Sequence, residues 1–236
     1  AKINNITDKY SSSEIALNLF KNQQKIGPYL FLEFKEEIFP KAKLKAEAEN
    51  DPLNCSFYAI NLLDTIQFDD KLKLRKAVKL TEISVKYSKS WRFKKAALVL
   101  AKGKSIVQTI HSDYYQVSAF AEIAKILGTA GKMKDALQLL AQAETIVVNT
   151  IPYEQPEALE KIISAYCAID RFEPAVALAT QFIEQSPDGA WSLIAQQYAI
   201  KDKFQSALKT AENIKDDDLL AETLRVIVEQ YAANGS

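Results

Sequence analysis

Glycine and proline are scarce in this chain, with six and seven among 236 residues. A β-sandwich or barrel needs a turn about every ten residues, and this supply of turn formers is too small for one. Histidine occurs once and cysteine twice. No Cys-x-x-Cys pair and no even-numbered cysteine framework exists. Cys55 and Cys167 both sit in apolar helical patterns, so buried free thiols are expected ahead of a disulfide between them. Long apolar runs are also missing, and no segment approaches the roughly 20 residues that span a bilayer. The chain starts at Ala1 without a signal-peptide core, which reads as a processed or trimmed start and leaves the compartment open, cytoplasmic by default. Asn5-Ile6-Thr7 and Asn54-Cys55-Ser56 match a glycosylation tripeptide that recurs often by chance.

Apolar residues make up 48% and charged residues 25% of the chain, which argues for a packed core and against bulk disorder. Formal net charge is zero, from 30 basic and 30 acidic residues. The charge is unevenly spread. Residues 1–110 hold 20 Lys and Arg against 12 Asp and Glu, and residues 111–236 hold 10 against 18. The extreme stretch is 71–104, with 12 basic residues and one acid, Glu82. Such asymmetry bears on partners rather than fold. The plain alternative is that solvated faces differ in sign.

Apolar residues recur at i, i+3, i+4 and i+7, with Ala, Leu, Lys, Glu and Gln between them, which predicts helices almost throughout. Eleven or twelve are expected, some of them fused, over 13–26, 29–38, 41–49, 52–66, 70–88, 91–109, 113–128, 132–147, 157–168, 172–184, 189–199, 203–213 and 217–232. Starts are marked by Ser12-Ser13-Glu14, Asp51-Pro52, Asp69-Asp70, Ser112-Asp113 and Ser186-Pro187-Asp188. Breaks fall at Gly27-Pro28, Pro40, Gly131, Pro152 to Pro156 and Asp216 to Asp218.

Four segments align without gaps. They read Leu80, Ile83, Ser84, Tyr87, Phe93, Ala96; then Phe120, Ile123, Ala124, Leu127, Met133, Ala136; then Leu159, Ile162, Ile163, Tyr166, Phe172, Ala175; then Trp191, Ile194, Ala195, Tyr198, Phe204, Ala207. A half copy follows at Leu224, Ile227, Val228 and Tyr231. Each copy is a helix with one apolar stripe, a turn, and a second helix opening on a small residue. One such hairpin cannot bury its stripe alone, so neighbouring hairpins must stack.

This pattern resembles the tetratricopeptide repeat, whose first helix reads W-x-x-L-[GA]-x-x-Y. Trp191-Ser-Leu-Ile194-Ala195-Gln-Gln-Tyr198 fits it closely, and Ala207, Ala211 and Ile214 follow at the family's spacing. In the other copies Ser84 and Ile163 replace the small residue. The resemblance covers about residues 74–236. It implies an all-α fold, a right-handed α-solenoid of helix-turn-helix repeats at 71–236 behind an irregular helical cap at 1–70, packed together as one continuous unit. It also implies a groove lined by first-helix residues facing away from the stacking stripe. By spacing these are Thr81, Glu82, Val85 and Ser88; Ala121, Glu122, Lys125 and Gly128; Glu160, Lys161, Ser164 and Cys167; and Ser192, Leu193, Gln196 and Ala199. The family's chaperone-tail binders place Lys and Asn there to clamp a terminal carboxylate. Thr81 with Val85, and Ala121 with Lys125, do not form that clamp.

Sites of chemistry are few. Gly103-Lys104-Ser105 ends like a phosphate-binding loop, but the required earlier glycine is Leu98 and the stretch reads as mid-helix, so Gly103 is expected to permit a close helix crossing. His111 lies beside Ser112 and Asp113, and adjacent residues cannot converge as a triad. It has no second ligand nearby for a metal. The acid groups Glu33/Glu36/Glu37, Glu157/Glu160 and Asp216/Asp217/Asp218 fall at helix starts, where the helix dipole favours anions. No catalytic residue, cofactor or metal site is therefore expected.

The basic stretch is the sharpest surface feature. On a helix over 70–88, Lys71, Arg75, Lys79, Lys86 and Lys89 share a face away from Leu80, Ile83 and Tyr87, and Lys94 and Lys95 open the next helix. The expectation is a non-catalytic scaffold or assembly module. Its partner is a protein or peptide with an acidic surface, or an anionic membrane, with nucleic acid least favoured because Arg is scarce beside Lys. The alternatives are a peptide- or ligand-sensing repeat domain and, behind it, an α-helical enzyme.

Overall fold

A computed structural model describes residues 69–182 and 187–234. The four helices expected before residue 69, Cys55, the two glycosylation tripeptides and the Glu33/Glu36/Glu37 group lie outside the described residues. Among those described there are nine α-helices and no strand. They are α1 (Asp70–Lys89), α2 (Phe93–Val107), α3 (Asp113–Thr129), α4 (Met133–Val147), α5 (Gln155–Ala168), α6 (Phe172–Gln181), α7 (Pro187–Ile200), α8 (Phe204–Ala211) and α9 (Asp217–Asn234).

The starts follow the sequence signals. Asp69 Oδ1 accepts from Leu72 N at 2.8 Å, and Asp70 adds an acid in the first turn of α1. Ser112 Oγ accepts from Tyr115 N at 3.4 Å and opens α3. Pro156 stands in the first turn of α5, where a missing N–H costs nothing. Asp216 Oδ1 accepts from Leu219 N at 2.8 Å ahead of α9. The Asp188 carboxylate reaches across from α7 to accept from Lys215 N and Asp216 N at 3.2 and 2.9 Å.

The turns inside the four hairpins share one geometry. Trp91, Gly131, Asp170 and Asp202 all have positive φ, at 61°, 82°, 59° and 59°. The next residue is basic each time. Its N–H returns to the first helix, from Arg92 to Tyr87 O, Lys132 to Leu127 O, Arg171 to Tyr166 O and Lys203 to Tyr198 O, at 2.8–3.0 Å. This is the six-to-one bond of a Schellman cap, and it satisfies a carbonyl that the helix end leaves open. Of the four, only Gly131 was marked as a break by its residue type.

The chain divides into two compact units, Ala1–Thr109 and Ile110–Ser236. The sequence reading draws its boundary at 70/71, one hairpin earlier. In the first unit α1 packs on α2. Leu80, Ile83, Tyr87, Ala96 and Val99 form its buried cluster, with Ile106 against it. Ser84 Oγ donates to Ala96 O at 2.8 Å, so the serine in the small-residue position is satisfied inside the hairpin. A Cβ on Gly103 would stand 3.2 Å from Ala77 O and 3.4 Å from Leu80 Cβ, which is the close crossing expected there.

In the second unit α3 packs on α4, α5 on α6 and α7 on α8. The first helices also form a row, α3 on α5, α5 on α7 and α7 on α9. Ala136, Ala175 and Ala207, which open the second helices, are fully buried, as are Ala124 and Ala195 opposite them. Trp191 and Ile194 are buried too. Phe172 stacks on Tyr198 with ring centroids 3.9 Å apart, and Phe204 meets Tyr231 edge-on at 5.0 Å. The aromatic that begins one second helix thus packs on the aromatic of the next first helix, twice in succession.

Candidate functional site

The first helices of the second unit line an open-sided cavity of about 140 Å³. Ala121, Glu122 and Lys125 come from α3, Glu160, Lys161, Ser164 and Ala165 from α5, and Leu193 from α7. All but Ala165 are positions that the spacing assigns to the groove. Glu160 is half-buried, and its removal from water, opposed by nearby Lys161 and reinforced by Glu157, holds its carboxyl above the usual range. Lys125 and Lys161 are exposed. The wall is therefore three small residues and a leucine, bordered by two half-buried carboxylates and two solvated ammonium groups.

Gln196 stands on another seam. Its Nε2 donates to Ser192 Oγ at 3.1 Å, and Ser192 Oγ lies 2.7 Å from Thr223 Oγ1. Thr223 Oγ1 gives its proton to Leu219 O at 2.7 Å, so Ser192 is the donor in the middle pair. This chain of bonds ties α7 to α9 and engages Gln196 within the fold.

Six of the eight outer register positions are buried, and Ser88 and Glu160 are half-buried. Thr81 is fully buried and donates to Ala77 O at 3.0 Å, so its hydroxyl is turned inward rather than toward a partner, while Val85 is half-exposed. Gly128, Cys167, Ser192 and Ala199 are also buried. The reason is angular. At about 100° per residue the first and last positions of each set fall close to the flank of the stacking stripe, and only the middle two face away from it. Gly128 instead serves contact with the α5 cap, since a Cβ there would lie 2.3 Å from Ile169 Cγ2. Cys167 is a free thiol that burial pushes up to about 12.

On the first unit, Lys71, Lys86, Lys89, Lys94 and Lys95 are exposed, and Arg75 is half-buried. Lys79 is half-buried and paired with Glu82 three residues on. Lys73 bonds Asp70 Oδ1 at 3.0 Å and Thr109 O at 2.7 Å, placing its charge at the end of α2. Trp91 stands 82% exposed at the turn beside these lysines, with Phe93 edge-on at 5.8 Å. Sequence reasoning passed over Trp91, although a tryptophan where the other turns carry Gly or Asp was a visible signal.

The remaining candidates keep structural surroundings. His111 is exposed just before the α3 cap. Glu157 lies in the first turn of α5, and Asp217 and Asp218 in that of α9. Among the described residues no group of three His, Cys, Asp or Glu side chains is arranged to hold a metal ion, and no helix is long and apolar enough to cross a membrane. No family model, no curated protein and no solved structure matches this chain.

Proposed function

We propose that this chain is a non-catalytic protein-interaction module, a right-handed tetratricopeptide-like solenoid that takes side chains of a partner peptide or helix into the groove of α3, α5 and α7. The observation that carries the reading is the cavity itself. Three successive first helices contribute to it, and seven of its eight lining residues sit at groove positions of the repeat. At about 140 Å³ it is smaller than the roughly 300–1,000 Å³ of small-molecule sites, and suits one or two partner side chains rather than a whole metabolite. Its mix of Ala121, Ala165 and Leu193 with exposed Lys125 and Lys161 suits an apolar anchor flanked by polar contacts.

The exposed lysines of α1 and α2 form a second contact for an acidic partner surface in the same reading. Selection of a displayed peptide library on the full chain tests the groove. Selected peptides are expected to crosslink to Lys125 and Lys161, and to lose at least about tenfold in affinity on the Ser164→Arg, Leu193→Arg double variant at unchanged helicity. Binding that ignores that variant overturns the groove. Binding by the basic face weakens as ionic strength rises, and binding that ignores salt removes the basic face from the reading.

A further inference from the structure

Two aromatic rings stand in water at the end of the α1–α2 hairpin. Trp91 is 82% exposed and Phe93 59%, and the two meet edge-on. The chain around them is basic. Residues 86–95 read Lys-Tyr-Ser-Lys-Ser-Trp-Arg-Phe-Lys-Lys, with five basic residues and no acid. Every residue from Lys89 to Lys95 is exposed, and so is Lys86. The nearest acid in sequence, Glu82, is paired with Lys79. The chain reverses at Trp91 between two packed helices, so the last turn of α1 and the first turn of α2 share one end of the hairpin. The rings and the positive charge therefore sit at the same end.

The other three hairpins supply the comparison. Their equivalent positions are 126–135, 165–174 and 197–206. Each of these stretches holds at most two basic residues and at least one acid. At the positive φ of the turn they carry Gly131, Asp170 and Asp202 where the first hairpin has Trp91. Their aromatic rings are covered, with Tyr166 and Phe172 buried and Tyr198 and Phe204 half-buried. This turn therefore forms without a tryptophan and without a run of positive charge. At φ 61° Trp91 adds backbone strain and gains little burial.

Shape and charge select the occupant. A turn exposed at seven consecutive residues offers no concavity for a partner's side chain, so its own rings are the inserting element. Charge of one sign, with no acid among it, matches a uniformly negative surface better than a partner read through paired charges of both signs. Tryptophan rings settle at the headgroup level of a bilayer, and lysine stems carry their ammonium groups to the surrounding phosphates.

We propose that the α1–α2 turn docks on an anionic lipid bilayer, with Trp91 and Phe93 seated among the headgroups and Lys86, Lys89, Lys94 and Lys95 facing the lipid phosphates. The site rests on the basic-face half of the proposed function, narrowed to one kind of surface. It shares no residue with the groove, so the two fail separately.

Trp91 is its own reporter, because the other tryptophan, Trp191, is 5% exposed. The full chain is titrated with vesicles of equimolar phosphatidylcholine and phosphatidylserine, with vesicles of phosphatidylcholine alone, and with soluble poly-glutamate. Saturable binding to the mixed vesicles with a blue shift of tryptophan emission is expected. It should weaken at least about tenfold without phosphatidylserine, and weaken again as salt rises. The Trp91→Gly, Phe93→Ala double variant and the Lys89→Glu, Lys94→Glu double variant should each bind the mixed vesicles at least about tenfold more weakly at unchanged helicity. Peptides selected on the groove should bind both variants as they bind the parent. Absence of vesicle binding overturns the proposal, as does vesicle binding that leaves the emission unmoved or that the aromatic variant retains. Poly-glutamate bound as tightly as the mixed vesicles also overturns it, by assigning the basic face to an acidic protein while leaving that face in the reading.

Discussion

The Phe172 ring lies parallel to the Tyr198 ring, 13° from coplanar and 3.9 Å between centroids, and the Lys203 ammonium stands 4.6 Å from the Phe172 centroid. The first ring begins one hairpin's second helix, and the other two residues belong to the next hairpin. Phe172 is 2% exposed. Phe172→Ala is expected to destabilise by about 3–5 kcal/mol, through lost burial and the cavity left behind. A double-mutant cycle with Tyr198→Ala should show coupling of about 0.5–1.5 kcal/mol. Chemical denaturation measures both, and additive losses would mean that the rings are neighbours without interaction.

Gly128 and Gly131 are required for different reasons. Gly128→Ala drives a methyl into Ile169 Cγ2 and should cost about 1–3 kcal/mol. Leucine at 169 lacks that methyl, so Ile169→Leu in the same chain should recover part of the loss. Gly131→Ala meets nothing within 4 Å, and its cost of about 1 kcal/mol comes from φ +82° alone. No change at position 169 should rescue it. Urea midpoints of the four variants separate the two mechanisms.

Trp91 occupies the left-handed position of its turn at φ 61° while 82% exposed. It carries backbone strain with little burial in return. Trp91→Gly is therefore expected to raise stability by about 1 kcal/mol, read from the urea midpoint. A lower midpoint would show that the edge contact with Phe93 outweighs the strain.

Glu160 titrates above the usual carboxylate range because it is half-buried beside the cavity. Over the interval between its unfolded and folded pKa values the native state binds more protons than the unfolded state. Stability from this residue therefore falls as pH rises through that interval, and the deficit persists above it. Glu160→Gln should raise the urea midpoint at neutral pH and flatten this part of the pH dependence. A variant less stable than its parent at neutral pH would mean that the ionised carboxylate is held by a cation.

Much of the local architecture was legible. Asp69, Ser112 and Asp216 sit where a capping side chain belongs, and the helices they open begin within a residue or two of expectation. Trp191, Ile194 and the four alanines follow from spacing alone, because a period near 3.6 residues decides which side chains share a stripe. The groove positions were half legible. Lys125, Lys161, Ser164 and Leu193 face away from the stripe and were found by register. Thr81, Gly128, Cys167 and Ser192 stand one step round the helix, where the neighbouring helix buries them. Gln196 points correctly but is engaged by Ser192. Asp170 and Asp202 fall between expected helices, as found, whereas Trp91 was placed inside one, although the following basic residue and Phe or Met repeat in all four hairpins.

The one-dimensional order of residues determined the helices, their caps and the inward stripe of each, because those depend on neighbours three or four positions away. Only the packed chain decided which flank positions are buried and that three helices meet around a side-chain-sized cavity. Those outcomes depend on which surfaces meet across thirty or more residues, and no local periodicity encodes that meeting.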